Sequence, residues 1–370
     1  MQLINHTPLL AGCTQSMAPN GQESLVVAIK GSFSIPATMG KAATLLEQQL
    51  PLLESDRFLE QPGFSSPLYE ADYAPFKSRC DVTVVGSAYA PAGKASECVA
   101  ARLELGQISK RLHVLGDRHW VANASGFSIS QPETFEVRAI TYDIAFGGTD
   151  SAHEDVRMHG SYLANPIGIG FHKSIDATLV DGSPAPSTEE PGIPVLHPNG
   201  VYRPMSLGPI ARGWSPRIDY AGTYDDDWMD ERFPFLPQDF DTRFYQSTLE
   251  DQQCDYLVGG EIVRLTNLTP QGHCEFTVPV LEVPVCFFRR KSQRLLVKAV
   301  IDTLVIEPDE QRFSLVWRTR LPLRRNLFEV PEVRIGTASA GRNPCRVTPM
   351  FEKSHPSDQT VAGKPLSDKP

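Results

Sequence analysis

Apolar residues recur along this chain mostly with a period of two, in short runs. ESLVVAIKGSFSIP (23–36) is apolar and β-branched, then alternates through Phe33 and Ile35 until Pro36 stops it. DVTVVGSAYAP (81–91) sets Val82, Val84 and Ala88 at alternating positions and closes on a Pro-Ala-Gly turn. ECVAARLELG and ISKRLHVLGDRHW flank Gly106 and Gln107, the spacing of a β-hairpin. TFEVRAITYDIAFGG (134–148) alternates through Phe135, Val137 and Ala139, then through Tyr142, Ile144 and Phe146. LVGGEIVRLTNL, CEFTVPVLEVPVCFF, RLLVKAVIDTLVIEP and RFSLVWRTRLPL extend the pattern, and Pro308-Asp309-Glu310-Gln311 forms a turn between the last two. Short strands separated by turn residues predict a mainly β protein. Its antiparallel sheets would form a sandwich or barrel with long irregular loops, not alternating βα units.

Helices have little room among 31 prolines and 27 glycines, since proline in a helix interior costs about 3 kcal/mol. The best helix signal is STLEDQQCDYL (247–257), with Ser247 at an N-cap and Glu250 three residues later. AATLLEQQL (42–50) fits either a helix or a strand. Residues 172–212, including DGSPAPSTEEPGIPVLHPNG, read as loop. The organisation expected is a β-rich part over 1–170 and a Pro/Gly-rich loop region over 171–212. An aromatic loop with a second β-rich part follows over 213–336, packed with the first or separate from it. Residues 337–370 lose the hydrophobic period and read as a flexible tail.

Composition narrows the partners. Net charge is -9 and the isoelectric point about 5.5, which disfavours nucleic acid or anionic membrane as the main partner. No apolar run approaches the roughly 18 residues of a membrane span, and the N-terminal stretch lacks the pattern of a secretory signal. Seven scattered cysteines, none in a CxxC, are expected to be reduced and partly buried, which points to the cytoplasm.

Chemistry-bearing motifs are sparse. GWSPRIDYAGTYDDDWMDERFPFLPQDFDTRF (213–244) gathers Asp225, Asp226 and Asp227 with an Asp239-x-Asp241 pair. Such carboxylates can hold a hard cation or act as acid and base in glycoside hydrolysis, but three consecutive aspartates also suit a solvated turn. HEDVRMH (153–159) lacks the i, i+4 spacing of a zinc helix and reads as loop. GDRHW (116–120) reads as a turn with a structural Arg118–carboxylate pair. NPIGIGF (165–171) misses both phosphate-loop patterns and reads as a backbone turn using positive φ. Cys98, following Glu97, is a poor nucleophile because a neighbouring acid raises a thiol pKa. The positive feature is the crowding of Trp214, Tyr220, Tyr224, Trp228, Phe233, Phe235, Phe240, Phe244 and Tyr245 with Arg212, Arg217, Arg232 and Arg243, the residue types favoured at binding hot spots. The segment is therefore expected to be an ordered loop, pinned to the β core by some aromatics and presenting others.

Taken in order, LVVAIKGSFSIP, DVTVVGSAYAP, GDRHW, AFGGTD, NPIGIGF, WSPRIDYAGTYDDDW, FPFLPQDFDTRF and GGEIVRLTNLTPQG resemble the bacterial family called domain of unknown function 2169, from about residue 2 to about 335. Gly147-Gly148, Asn165-Pro166, Trp214, Arg217, Gly222, Thr223, Tyr224, Asp225, Trp228, Asp239 and Asp241 match its motif positions. The resemblance implies a non-enzymatic adaptor or chaperone that loads a type VI secretion effector onto the secreted spike (VgrG/PAAR-type) complex. It brings no catalytic residue, cofactor or metal. The partner-binding residues expected are Trp214, Arg217, Tyr220, Tyr224, Asp225, Trp228, Asp239 and Asp241. Two rival expectations are a carbohydrate- or peptidoglycan-active enzyme using Asp225, Asp227, Asp239 or Asp241, and a glycan-binding module stacking sugars on Trp214 and Trp228.

Overall fold

The computed structural model describes residues 1–38, 40–290 and 293–336; the tail expected over 337–370 lies outside the described residues. Three larger sheets carry the architecture. The largest runs Gln253–Cys254, Cys80–Val84, Val300–Glu307, Arg312–Pro322, Glu23–Ser34, Leu10–Met17. A five-stranded sheet runs Thr188–Glu189, Ile108–Leu115, Cys98–Leu105, Ile262–Thr266, His273–Thr277. A four-stranded sheet runs Gln2–Asn5, Glu332–Ile335, Pro284–Arg289, Gln293–Lys298. All three stay open. The six-stranded sheet therefore takes strands from both ends of the sequence.

The strand period decides which side chains meet. On Glu23–Ser34 the residues Leu25, Val27, Ile29 and Phe33 point into one core, joined there by Leu304, Ile306, Phe313, Leu315 and Trp317 of the neighbouring strands. Leu103, Leu112 and Val263 of the five-stranded sheet and Val285, Phe287 and Val333 of the four-stranded sheet close the same core. Phe313 is its pivot: its ring stacks on Phe33 at 5.4 Å and on Phe276 of the five-stranded sheet at 4.6 Å. The hairpin expected at Gly106-Gln107 forms, with Leu105 opposite Ile108, and so does the turn over 308–311.

Three local expectations fail. STLEDQQCDYL is not a helix; only Glu250–Gln252 make a 3-10 turn, and Gln253–Cys254 is a strand. Ser247 does not cap, because the buried Asp81 takes its N–H at 2.8 Å and its hydroxyl at 3.0 Å. The alternation read over 134–148 breaks at Ile140. Val137–Ala139 pairs with Ser87–Tyr89 and leaves Val137 53% exposed, while Ile140 is buried. A 3-10 turn over Tyr142–Ile144 then resets the phase, and Tyr142 and Phe146 are buried. AATLLEQQL is neither helix nor strand apart from a single bridge between Leu45 and Phe33. No helix among the described residues is long and apolar enough to cross a membrane.

Phe313→Ala empties a fully buried site shared by two sheets. It is expected to lower the unfolding free energy by about 3–5 kcal/mol, read as a lower urea midpoint at unchanged slope.

Candidate functional site

The opposite face of the six-stranded sheet is not apolar. Lys30, Asp81, Asp302 and Arg318 project there from strands rich in Val, Ile and Leu, and all four are buried. Loops over 46–77 and 205–210 cover them. Asp302 reaches this face through a β-bulge between Ile301 and Thr303, and its carboxylate grips Arg318 at 2.6 Å and 3.1 Å. Arg318 also donates to the carbonyls of Asp72 and Ala74 at 2.7 Å and 2.9 Å, and Asp72 accepts from Lys30 at 2.9 Å. Lys77 bridges Asp81 at 2.7 Å and Glu70 at 2.9 Å, and Glu70 pairs with Arg217. The charges balance: Lys30, Lys77, Arg217 and Arg318 against Glu70, Asp72, Asp81 and Asp302. A cavity of about 20 Å³ remains among them, room for one water.

This network fastens both ends of the acid-rich segment. Arg217 donates to the carbonyl of Ile210 at 3.0 Å, before the segment, and to that of Phe244 at 2.8 Å, at its end. Asp81 accepts from Gln246 at 3.0 Å, from the Ser247 N–H and hydroxyl, and from the Thr248 hydroxyl at 2.7 Å. Trp214 is buried and meets Tyr142 edge-on at 5.3 Å. Tyr220 lies outside it, under the Arg243 guanidinium at 4.1 Å. The expected anchored loop is therefore present, held by a guanidinium and a carboxylate as much as by its aromatics.

Beyond the clasp, residues 222–240 stand away from the core. Gly222 turns the chain at φ +82°, where a Cβ would lie 2.9 Å from the Asp239 carboxylate. Asp239 holds the Thr223 N–H at 3.0 Å and its hydroxyl at 2.8 Å. Asp225 caps the short helix Asp226–Glu231 by accepting from the Trp228 N–H at 2.9 Å. Asp241 caps the next turn and pairs with Arg243 at 2.6 Å. These three acids thus spend their oxygens on local structure. Asp226, Asp227, Asp230 and Glu231 are exposed and have no ion-pair partner among the described residues. Tyr224 packs edge-on against Trp228 at 4.7 Å, and Trp228 against Phe233 at 5.7 Å. Tyr224, Met229, Phe233 and Phe235 are between 40% and 63% exposed.

The other motifs are structural. Arg118 pairs with Glu189 at 2.7 Å, the structural carboxylate pair its motif predicts. In NPIGIGF, Gly170 holds φ +91° with Pro186 against it, and the buried Asn165 amide donates to the Tyr142 carbonyl at 2.8 Å. The Cys98 thiol is pushed up by partial burial and by Glu189 across the sheet, not by the preceding Glu97. Among the described residues no group of three or more His, Cys, Asp or Glu is arranged to hold a metal ion.

Sequence reasoning found the segment and Arg217 but missed Glu70, Asp72, Lys77 and Asp81. The available signal was a charge flanked by apolar residues within each of several strands: Lys30, Asp302 and Arg318.

Fold and site together define a mainly β protein that displays an aromatic and acidic loop from an internal ion network. A family described as "Uncharacterized protein conserved in bacteria (DUF2169)" matches residues 20–318, and the chain belongs to it. No curated protein and no solved structure matches the chain significantly.

Burial pushes the Glu70 carboxyl up, but Lys77 and Arg217 outweigh it and hold it well below the usual range. Burial likewise lowers Lys77, and Asp81 and Glu70 more than restore it. Glu70 therefore contributes stability that is full above about pH 4.3, its unfolded value, and is lost as pH falls. The contribution of Lys77 is full below about pH 10.4. Arg217→Met removes one of the cations paired with the buried Glu70, leaving it to Lys77, and is expected to lose about 3 kcal/mol at pH 7. Its further loss of stability in acid should be shallower than that of the wild type, and trypsin should cut at Arg232 faster. Lys110, buried against Asp251 and Gln252, behaves oppositely: burial lowers it to about 8. The stability of the wild type relative to Lys110→Met is expected to rise between about pH 8 and 10.4, by up to roughly 3 kcal/mol.

Proposed function

We propose that this protein is a non-enzymatic cytoplasmic adaptor that binds an effector of the type VI secretion system and promotes its loading onto the spike (VgrG/PAAR-type) complex. The observation that carries this reading is the cluster of exposed Tyr224, Phe233 and Phe235 around the half-buried Trp228, on a loop clasped at its base by buried charges. Aromatic side chains held in place before contact lose little entropy on binding, and they are the residues that dominate protein–protein affinity. The family's motif positions Tyr224, Asp225, Trp228 and Asp239 build that loop, while Trp214 and Arg217 fasten it. The type VI role comes from the family resemblance, and the rigid aromatic display supports a protein partner.

The test is co-expression of the tagged protein with the effector encoded beside it. The wild type is expected to retain the effector at low salt and raise its solubility. Trp228→Ala with Phe233→Ala should keep the melting temperature within a few degrees and weaken retention roughly 30-fold, about 2 kcal/mol. A wild-type protein that retains no effector would overturn the reading.

A further inference from the structure

The strand Leu10–Met17 is the outer strand of the six-stranded sheet, and the aromatic loop rests against its end. Arg232 donates to the Pro19 carbonyl at 2.8 Å, and a Cβ on Gly21 would lie 3.4 Å from the Phe235 ring. Both Pro19 and Gly21 belong to the turn that follows Met17. A free sheet edge and the exposed aromatics therefore form one continuous surface.

The register shows which groups of the edge are free. The Ala18 N–H donates to the Gln22 carbonyl at 3.0 Å, continuing the ladder in which Met17 faces Glu23. Even-numbered residues of Leu10–Met17 therefore bond inward to Glu23–Ser34. On the far side of Glu23–Ser34 the odd-numbered residues bond, as the Leu323 N–H to the Glu23 carbonyl at 2.8 Å shows. The N–H and C=O groups of Ala11, Cys13, Gln15 and Met17 thus point away from the sheet. Among the described residues none of them has a backbone partner.

Proteins normally blunt such edges with charges, proline, bulges or short length. The other outer strands of the three larger sheets are two to six residues long. Leu10–Met17 is eight residues, LAGCTQSM, with no charge and no proline. Its pairing with Glu23–Ser34 is regular over all eight. Arg232, which touches the turn after Met17, directly follows the helix Asp226–Glu231, whose four acids have no ion-pair partner among the described residues.

Resting on the adaptor reading, we infer that Leu10–Met17 accepts an extended segment of the partner polypeptide as a seventh strand, and that the adjoining aromatic–acidic loop binds basic residues at one end of that segment. The occupant has alternating apolar side chains over about eight residues, to continue the two faces of the sheet. Lysine or arginine follows at the end that reaches Asp226, Asp227, Asp230 and Glu231. Backbone hydrogen bonds supply affinity and are blind to side chains; the loop supplies direction.

The experiment uses the full chain and a fluorescein-labelled peptide of alternating Thr and Val over eight residues with three lysines at one end. Binding is expected to slow hydrogen exchange at the amides of Ala11, Cys13, Gln15 and Met17. Gln15→Pro removes only an outward N–H, and should weaken binding at least about tenfold with the melting temperature retained. Replacing the four acids by their amides should weaken binding and flatten its salt dependence. Should Gln15→Pro fail to fold, a peptide N-methylated at alternate amides tests the same bonds from the other side and is expected not to bind. Undiminished binding of Gln15→Pro, or of the methylated peptide, would overturn the inference. So would protection of the four amides that grows with protein concentration alone, which would put a second copy on the edge. If Gln15→Pro still retains the co-expressed effector while Trp228→Ala with Phe233→Ala does not, strand addition falls and the adaptor reading stands. If the wild type retains no effector, the adaptor reading itself falls.

Discussion

The structure depends on eight charges buried between a sheet and its covering loops. Isolated, each would carry a desolvation penalty of several kcal/mol. Here none is isolated: Asp81 alone accepts from Lys77, Gln246, Ser247 and Thr248. A well-packed apolar replacement could match the net stability of such a cluster. It could not match the direction of its bonds. An apolar face would accept the covering loops in many positions; Asp81 accepts from the hydroxyls and N–H groups of named residues, and Arg217 donates to named carbonyls.

That directionality lets a chain so rich in proline and glycine hold long irregular segments in place. The loop over 213–244 makes its own backbone bonds almost entirely in local turns and short helices, with no strand pairing among its residues. Its base is fixed by Arg217 between Ile210 and Phe244, and Asp81 fixes the stretch that follows. Small caps by Asp225, Asp239 and Asp241 then build the outer half locally. Order is passed outward from the sheet in steps, many of them charge-assisted hydrogen bonds, to an outer half where aromatic and acidic side chains are exposed.

The sheets were legible in the sequence because period-two patterning acts locally: 23–36, 98–115 and 312–323 form the strands their patterns predict, whereas the single run RLLVKAVIDTLVIEP divides at Ala299 into two strands of different sheets. The helix predicted over 247–257 was lost to a long-range effect, since Asp81 lies 166 residues away from Ser247. A capping box is readable only where nothing else competes for its hydroxyl and N–H. The acid cluster was visible as composition, but the roles of its members were not. Asp225 and Asp226 are neighbours, yet one caps a helix and the other faces solvent. Glu70 and Lys77 lie in loops without a pattern, and only the fold brings them to Arg217. Arg217 itself was noticed for its place among aromatics, whereas its chemistry is directed inward.

The same residue type therefore does two jobs, separated by dielectric. Inside, Asp81 and Asp302 act at hydrogen-bond distance in a medium that screens little, so their geometry is insensitive to salt. Outside, Asp226, Asp227 and Asp230 act through water, screened over about 8 Å at physiological ionic strength. Interior charges set where the loop stands, and exterior charges tune what approaches it. Because the two sets share no ion pair, the exterior acids can vary to suit a partner without disturbing the clasp. The interior set cannot vary singly, since removing one member leaves its buried partners short of opposite charge.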